Sequence, residues 1–372
     1  MKLIIGGGGT GGHLFPGVAL AREFERRFPD CQVLFIGTEK GLESRIIPAE
    51  GFKLRTIPAT GLVGRKFLAK AASLVRLPLG LGAALGIARD FRPDLVIGVG
   101  GYSSGPVVLA SWLLRIPRVL LEPNSVPGLT NRILGPLSDR IYLAFEEAGE
   151  WFSGPARRRI RVLGNPTGEA IAAAGAEASP RSRAGEKPLT VLVMGGSQGA
   201  EAINRAVCAA LKGIKKIPGG IHLIHQTGER DLHRVEEAYR ESGMKATVTA
   251  FIRPVATAYQ NADLVISRAG ATTVAELTAS GKPAVLIPFP HATHGHQEEN
   301  ARRLSENGAA VVLLEKDLSG TRLEEIIGGL AASPGTLDEM GKRSRALGRP
   351  KAAADIVEDC VGLIREKGRG QN

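Results

Sequence analysis

The chain has 372 residues, 43% of them apolar, which exceeds what one hydrophobic core usually supports and makes two α/β domains the expected organisation. Lysine and arginine outnumber aspartate and glutamate by 48 to 37, a balance that attracts anions, yet aromatics make up only 5% and are not interleaved with the basic residues, which argues against a nucleic-acid binder. Cys31, Cys208 and Cys360 lack CxxC spacing, the apolar run Leu3–Ile5 is too short for a signal peptide, and no stretch reaches the ~20 apolar residues of a membrane span, so a reduced, unexported, non-spanning protein is expected.

Strands are predicted over Lys2–Ile5, Gln32–Ile36, Leu95–Ile97, Val119–Leu121 and Ile141–Leu143, each followed by a longer helical stretch. This is the rhythm of buried parallel strands with crossover helices. It marks a first domain over residues 1–165. Residues 166–188, ending in a segment of Pro, Ser, Arg, Gly and Lys without apolar periodicity, read as a linker. The rhythm restarts with Thr190–Val193, Ile221–His225, Ala246–Ala250, Leu264–Ile266, Ala284–Ile287 and Ala310–Leu314, giving a second domain over 189–345. A last helical pattern in 346–372 carries Ile356, Val357, Cys360, Val361, Leu363 and Ile364, and is expected to pack back on the first domain.

Three glycine-rich loops follow strands: Gly6 to His13, Gly98 to Pro106, and Gly195-Gly196-Ser197-Gln198-Gly199-Ala200. Glycine lets backbone N–H groups approach a ligand closely, and a helix N-terminus favours negative charge. Neither a Walker P-loop nor a clean dinucleotide fingerprint fits the spacing. Ligands bind beyond the carboxyl ends of strands in open α/β sheets, so these loops imply anion sites in both domains.

These loops, together with Leu121-Glu122-Pro123-Asn124, Gly164-Asn165-Pro166, the run Ser267 to Glu276 and Pro288-Phe289-Pro290-His291, resemble the lipid II-forming N-acetylglucosaminyltransferases of peptidoglycan synthesis, in glycosyltransferase family 28, over nearly the whole chain. The resemblance implies a GT-B fold, two Rossmann-like doubly wound parallel-sheet domains facing across a cleft. It also implies inverting transfer of N-acetylglucosamine from UDP-N-acetylglucosamine to the C4 hydroxyl of N-acetylmuramoyl-pentapeptide in lipid I. By the same resemblance, Phe251-Ile252 matches a uracil-binding pair with the Ile252 backbone reading the base edge, and Glu276 accepts from both ribose hydroxyls. Ala271, Thr272, Thr273, Val274 and Ala275 open a helix that holds the diphosphate, with Ser197 adding its hydroxyl. Gln297 binds sugar hydroxyls, while Thr10, Gly11, Gly12 and Asn124 border the transferred sugar. The sequence departs from the family at Gly168, at Pro123 and at Arg253-Pro254.

The chemistry makes sense of these residue types. Displacement at the anomeric carbon releases UDP, and with no D-x-D pair in the sequence a helix N-terminus is expected to stabilise the diphosphate without a metal cofactor. The attacking hydroxyl must lose a proton, for which His13 is the first candidate base and Glu122 the alternative. His13 also suits ordering its loop or binding pyrophosphate. His291, His294 and His296 are dense enough to suggest zinc, but no cysteine stands near them in sequence, and a sugar-facing loop is the preferred reading.

Beside the nucleic-acid binder, two rival classes remain. Gly195 to Gly199 satisfies G-x-S-x-G, with Asp263 and His291 following in the order of an α/β-hydrolase triad. A dehydrogenase lacks its acid after the second strand, and within sugar chemistry a glycolipid or sterol transferase or a GT-B-like epimerase would share the motifs. Finally, residues 61–92 set Arg65, Lys66, Lys70, Arg76, Arg89 and Arg92 among Leu62, Val63, Phe67, Leu68, Leu74, Val75, Leu77, Leu79, Leu81, Leu85 and Ile87, with Asp90 the only acid. Joined by Trp112, this reads as a surface patch for an anionic membrane, placing the enzyme peripherally on the cytoplasmic face of the inner membrane. The alternative is that the apolar residues are core and the charges a solvated face.

Overall fold

The structure, a computed structural model, describes residues 1–59, 67–176, 188–196, 198–292 and 295–369, with the backbone alone described at 67–76, 175, 176, 334 and 369. The chain divides into two compact units: residues 1–168 with 351–372, and residues 169–350.

The first unit runs β1 (Lys2–Gly7), α1 (Gly11–Arg27), β2 (Gln32–Gly37), α2 (Glu43–Ala49), β3 (Lys53–Thr56), α3 (Phe67–Phe91), β4 (Leu95–Gly100), α4 (Ser104–Leu113), β5 (Arg118–Glu122), α5 (Leu129–Leu134), β6 (Arg140–Leu143) and β7 (Ile160–Val162). The second runs α6 (Glu169–Ala176), β8 (Leu189–Met194), α7 (Glu201–Ile214), β9 (Ile221–Gln226), α8 (Leu232–Ser242), β10 (Ala246–Thr249), α9 (Val255–Asn261), β11 (Leu264–Ser267), α10 (Ala271–Ser280), β12 (Ala284–Leu286), α11 (His296–Glu306), β13 (Ala310–Val312), α12 (Gly320–Ala331) and α13 (Pro334–Ala346). The final helix, α14 (Ala352–Arg369), belongs to the first unit.

Both sheets are parallel. Their strand orders are β3-β2-β1-β4-β5-β6-β7 and β10-β9-β8-β11-β12-β13. The central strands β4, β5 and β11 are buried along their whole length because helices cover both faces. Leu3 and Ile5 join a cluster with Leu14, Val18 and Phe24 of α1, while Ile4 between them joins Ala84 and Ala88 of α3 and Val107 and Ala110 of α4 on the opposite face. The side-chain period of 2 thus divides one strand between two cores.

Helix α14 completes the first of these cores with Ile356, Val357, Cys360 and Leu363, and its Asp359 accepts from the buried Tyr142 hydroxyl at 2.7 Å. Each fully buried Ile, Val or Leu contributes about 1.5–3 kcal/mol of transfer free energy, so the helix is held strongly to the first unit. Residues 169–176, expected as linker, instead form α6, which buries Ile171 and Ala174 and packs on α9 and α10. Its Ala-rich composition is a good helix former with a small apolar face. The remainder of that expected linker, 177–187, lies outside the described residues. Two strands beyond those expected, β3 and β7, are short sheet edges whose side chains are mostly exposed, so they carry no apolar run.

In each sheet the strand order reverses once, between β1 and β4 in the first unit and between β8 and β11 in the second. Crevices at such switch points are where open α/β sheets take ligands. The loops after β1 and β4 hold Gly8 to His13 and Gly101 to Ser103. Those after β8 and β11 hold Gly195 to Ala200 and Arg268 to Gly270.

Candidate functional site

At the switch point of the second unit, Gly270 leads into α10 without a side-chain cap, and the first internal bond of the helix runs from Val274 N–H to Gly270 O at 2.9 Å. The N–H groups before Val274 belong to the first turn, which an α-helix leaves without internal acceptors and with positive dipole. Val274 N–H is thus engaged inside the helical ladder, while Ala271, Thr272 and Thr273 make up the first turn. Ser197 lies outside the described residues. The loop around it is held backbone to backbone: a Cβ on Gly199, whose φ is +76°, would stand 2.2 Å from Thr227 O. Only glycine fits there.

A buried polar network fixes that contact from behind. Asn204 of α7 donates through Nδ2 to Thr227 O at 2.8 Å and Asp231 Oδ2 at 2.7 Å, its Oδ1 lies 3.0 Å from His225 Nε2, and His225 Nδ1 lies 3.1 Å from the Tyr239 hydroxyl. Burial pulls the His225 pKa down to about 4, so the imidazole is neutral and its two nitrogens divide donor and acceptor roles. Gln226 adds a bond from Nε2 to Gly196 O at 2.8 Å.

Further along the same edge, Glu276 sits on α10 with its side chain partly buried, and the Tyr259 hydroxyl of α9 donates to its Oε2 at 2.9 Å. It is no solvated helix acid. Burial raises its pKa to about 7, with the Tyr259 bond pulling the other way. Immediately before α9 lie Phe251 and Ile252, with the Arg253 guanidinium 5.3 Å from the Phe251 ring centroid. Gln297, in the first turn of α11, accepts the Phe289 N–H at 3.0 Å, and Arg268 grips the same loop by donating to Ile287 O and Pro288 O while pairing with Glu315 at 2.5 Å. Sequence reasoning gave no individual role to Arg268, Asn204, His225 and Tyr259. For Asn204 and His225 the available signal was a polar type standing where the helix and strand patterns call for apolar ones.

In the first unit, Thr10 caps α1 in extended conformation and its Oγ1 lies 3.0 Å from His13 Nδ1. The His13 ring packs over Gly100, where a Cβ would stand 2.6 Å from His13 Cδ2. Gly11 begins the helix, and a Cβ on Gly12 would stand 3.8 Å from Thr10 Oγ1, an ordinary contact. The loops after β1 and β4 touch directly: Gly8 N–H donates to Gly100 O at 3.3 Å, and a Cβ on Gly101, with φ +81°, would stand 2.1 Å from Gly8 O. Gly101→Ala is therefore expected to cost about 2–4 kcal/mol of unfolding free energy, read as a lower urea midpoint. An unchanged midpoint would contradict the close approach. Glu43, 1% exposed, braces the first loop by accepting from Gly9 N–H at 3.0 Å and from Thr38 N–H and Oγ1 at 2.8 and 2.7 Å.

Glu122, at the end of β5, is fully buried and accepts four bonds: from Asn124 N–H and Nδ2 at 3.0 Å each, Gly128 N–H at 2.9 Å and Asn131 Nδ2 at 2.9 Å. Burial raises its pKa and these donors oppose the rise. With all four lone-pair sites engaged, its geometry suits holding Asn124 rather than receiving a substrate proton. Of the residues named for a hydrolase triad, Ser197 is outside the described residues, and Asp263 accepts Thr190 N–H at 2.8 Å at the amino end of β8, about 13 Å along the strand from Met194 at 3.3 Å per residue.

Of the expected surface patch, residues 61–66 lie outside the described residues, as do the side chains of 67–76. Leu81, Leu85 and Ile87 turn inward against the α3–α4 core. Leu77 and Leu79 of α3 are 48% and 60% exposed, and Trp112 and Leu113 of the neighbouring α4 are 44% and 49% exposed. No described helix is long and apolar enough to cross a membrane.

Comparison with known proteins places this geometry. Residues 3–143 match the glycosyltransferase family 28 N-terminal domain and residues 190–358 the glycosyltransferase family 28 C-terminal domain. The chain is 47% identical over 365 residues to the UDP-N-acetylglucosamine--N-acetylmuramyl-(pentapeptide) pyrophosphoryl-undecaprenol N-acetylglucosamine transferase of Syntrophus aciditrophicus, covering 98% of this chain and 99% of that one. Among solved structures, MurG of Acinetobacter baumannii superimposes with a TM-score of 0.74 at 30% identity, covering 98% and 99% of the two chains. The UDP-GlcNAc 2-epimerase of Neisseria meningitidis shares the fold alone, at 13% identity and a TM-score of 0.67 over 97% and 100% of the chains.

Proposed function

The chain belongs to glycosyltransferase family 28, and from that premise and the two switch-point sites we propose that it transfers N-acetylglucosamine from UDP-N-acetylglucosamine, with inversion, to the C4 hydroxyl of N-acetylmuramoyl-pentapeptide in lipid I, forming lipid II. The observation that carries the donor half is the conjunction at one sheet edge of an uncapped helix start and, five residues on, a partly buried carboxylate. A diphosphate meets the first turn of α10 at Ala271, Thr272 and Thr273, and Ser197 is proposed to add its hydroxyl. Glu276 accepts from the ribose hydroxyls, the Ile252 backbone reads the uracil edge beside Phe251, and Gln297 binds sugar hydroxyls while its Oε1 anchors Phe289. The dipole of α10 opposes the charge on departing UDP and does so without a metal cofactor. UDP titrated calorimetrically into the protein in EDTA tests this half: saturable binding supports it, and binding that requires a divalent cation contradicts it.

The acceptor half rests on the first unit. In the tautomer that donates Nδ1–H to Thr10 Oγ1, His13 carries its lone pair on Nε2 and acts as the base for the acceptor hydroxyl. Asn124, held by Glu122, borders the transferred sugar with Thr10, Gly11 and Gly12. The enzyme works at the cytoplasmic face of the inner membrane, where Leu77, Leu79, Trp112 and Leu113 enter the headgroup region of an anionic surface. Leu79→Glu is expected to weaken sedimentation with phosphatidylglycerol vesicles about tenfold, the cost of withdrawing one leucine from lipid. Equal sedimentation of variant and wild type contradicts that docking face.

A further inference from the structure

We propose that Tyr259 is a positioning residue for the ribose of the nucleotide: its buried hydroxyl fixes the Glu276 carboxylate so that its remaining lone-pair sites face the two ribose hydroxyls. The proposal rests on the reading of the second unit as a UDP-sugar site. Tyr259 is 0% exposed, and its hydroxyl donates to Glu276 Oε2 across the α9–α10 contact at 2.9 Å.

The geometry of α10 gives the pair its place. Glu276 follows Ala271 by five residues, which at 1.5 Å per residue puts it about 7.5 Å along the axis from the helix start. Thr272, Thr273 and Glu276 are all partly exposed and, at three- and four-residue spacing, share one face. A diphosphate on the first turn therefore sends its ribose along that face toward the carboxylate. A glutamate there has three side-chain torsions to order, and the phenol orders them before the nucleotide arrives. The phenol itself is a permanent donor, because burial and the adjacent carboxylate hold its pKa well above the usual 10.

The bond also joins two readers. Tyr259 belongs to α9, which begins three residues after Ile252, so the segment proposed to read the base and the carboxylate proposed to read the sugar are tied together by one hydrogen bond. Neighbouring charges are engaged elsewhere. Lys282 donates to Gln260 O and Ala262 O, Arg268 pairs with Glu315, and Arg345 of α13 lies against Gly281. A ribonucleoside diphosphate is the ligand class that such a pre-aimed carboxylate selects over its 2′-deoxy counterpart, since only the ribose offers both hydroxyls.

The test is Tyr259→Phe in the full chain, which keeps the ring and removes the hydroxyl. Kd for UDP and for 2′-deoxy-UDP is measured by calorimetry beside KM and kcat for UDP-N-acetylglucosamine. The expected result is UDP binding weakened about tenfold, the scale of one hydrogen bond to a charged group, with 2′-deoxy-UDP weakened distinctly less and kcat within about twofold of wild type. Glu276→Gln, which retains Tyr259 and removes the charge, sets the reference for lost ribose discrimination. Equal weakening of both nucleotides in Tyr259→Phe, or weakening of neither, overturns the positioning role while leaving the donor site standing. Failure of the wild-type chain to bind UDP overturns the donor site and the proposal with it.

Discussion

His13→Ala is expected to lower kcat about 10²–10⁴-fold while KM for UDP-N-acetylglucosamine stays within about threefold, as measured by steady-state kinetics at saturating acceptor. The split follows from where the residues stand. His13 belongs to the first unit and the proposed nucleotide contacts belong to the second, so removing the imidazole leaves those nucleotide contacts in place. Its Nδ1 contact with Thr10 and its packing over Gly100 fix the ring, which is what a base needs if its second nitrogen is to meet a hydroxyl at hydrogen-bond distance. Glu122 cannot substitute for it while four N–H donors occupy its oxygens. A variant that keeps kcat and loses donor affinity instead would assign His13 to binding.

The second large effect is at Glu276. Glu276→Ala is expected to raise KM for UDP-N-acetylglucosamine about 10²-fold, the scale of two hydrogen bonds to a charged acceptor at about 1.5 kcal/mol each. The same carboxylate predicts a pH dependence whose sign is fixed by its pKa of about 7 in the unliganded protein. Ribose hydroxyls donate to the anionic form, so proton and nucleotide compete. Affinity is full above the pKa and falls as pH drops through it, to about tenfold weaker at pH 6 than at pH 8. The pyrophosphate diester of UDP-N-acetylglucosamine has no proton to lose in that interval, which isolates the contribution of the protein. Calorimetric titration across the interval checks the slope, and Glu276→Gln should flatten it. A slope that survives in Glu276→Gln belongs to another group.

Much of this architecture was legible in the residues. Apolar runs such as Leu3–Ile5 and Val191–Val193 reveal strands because sheets covered on both faces need no polar alternation, and glycines after β1, β4 and β8 mark the loops where backbones approach each other or a ligand. The same logic fails at β3 and β7, where exposed edges remove the apolar signal, and at α6, whose Ala-rich run resembles a tether until α9 and α10 cover it. What the chain could not reveal was partnership over distance. Glu43 braces Gly9 from 34 residues away, and Tyr259, Asn204 and His225 meet their partners only when the fold brings them together. Motif residues mark the candidate contacts to the ligand, whereas the side chains that aim those residues are set by tertiary contacts that no local period encodes.

The most direct test of the account is transfer of labelled N-acetylglucosamine from UDP-N-acetylglucosamine to a short-chain lipid I analogue, with EDTA present and with UDP-glucose and UDP-N-acetylgalactosamine as competing donors. The account predicts a β-linked disaccharide, formed at a rate indifferent to EDTA and drawn from the first donor. Nucleotide binding without any transfer to the lipid acceptor would contradict it and place the chain's chemistry with another UDP-sugar reaction.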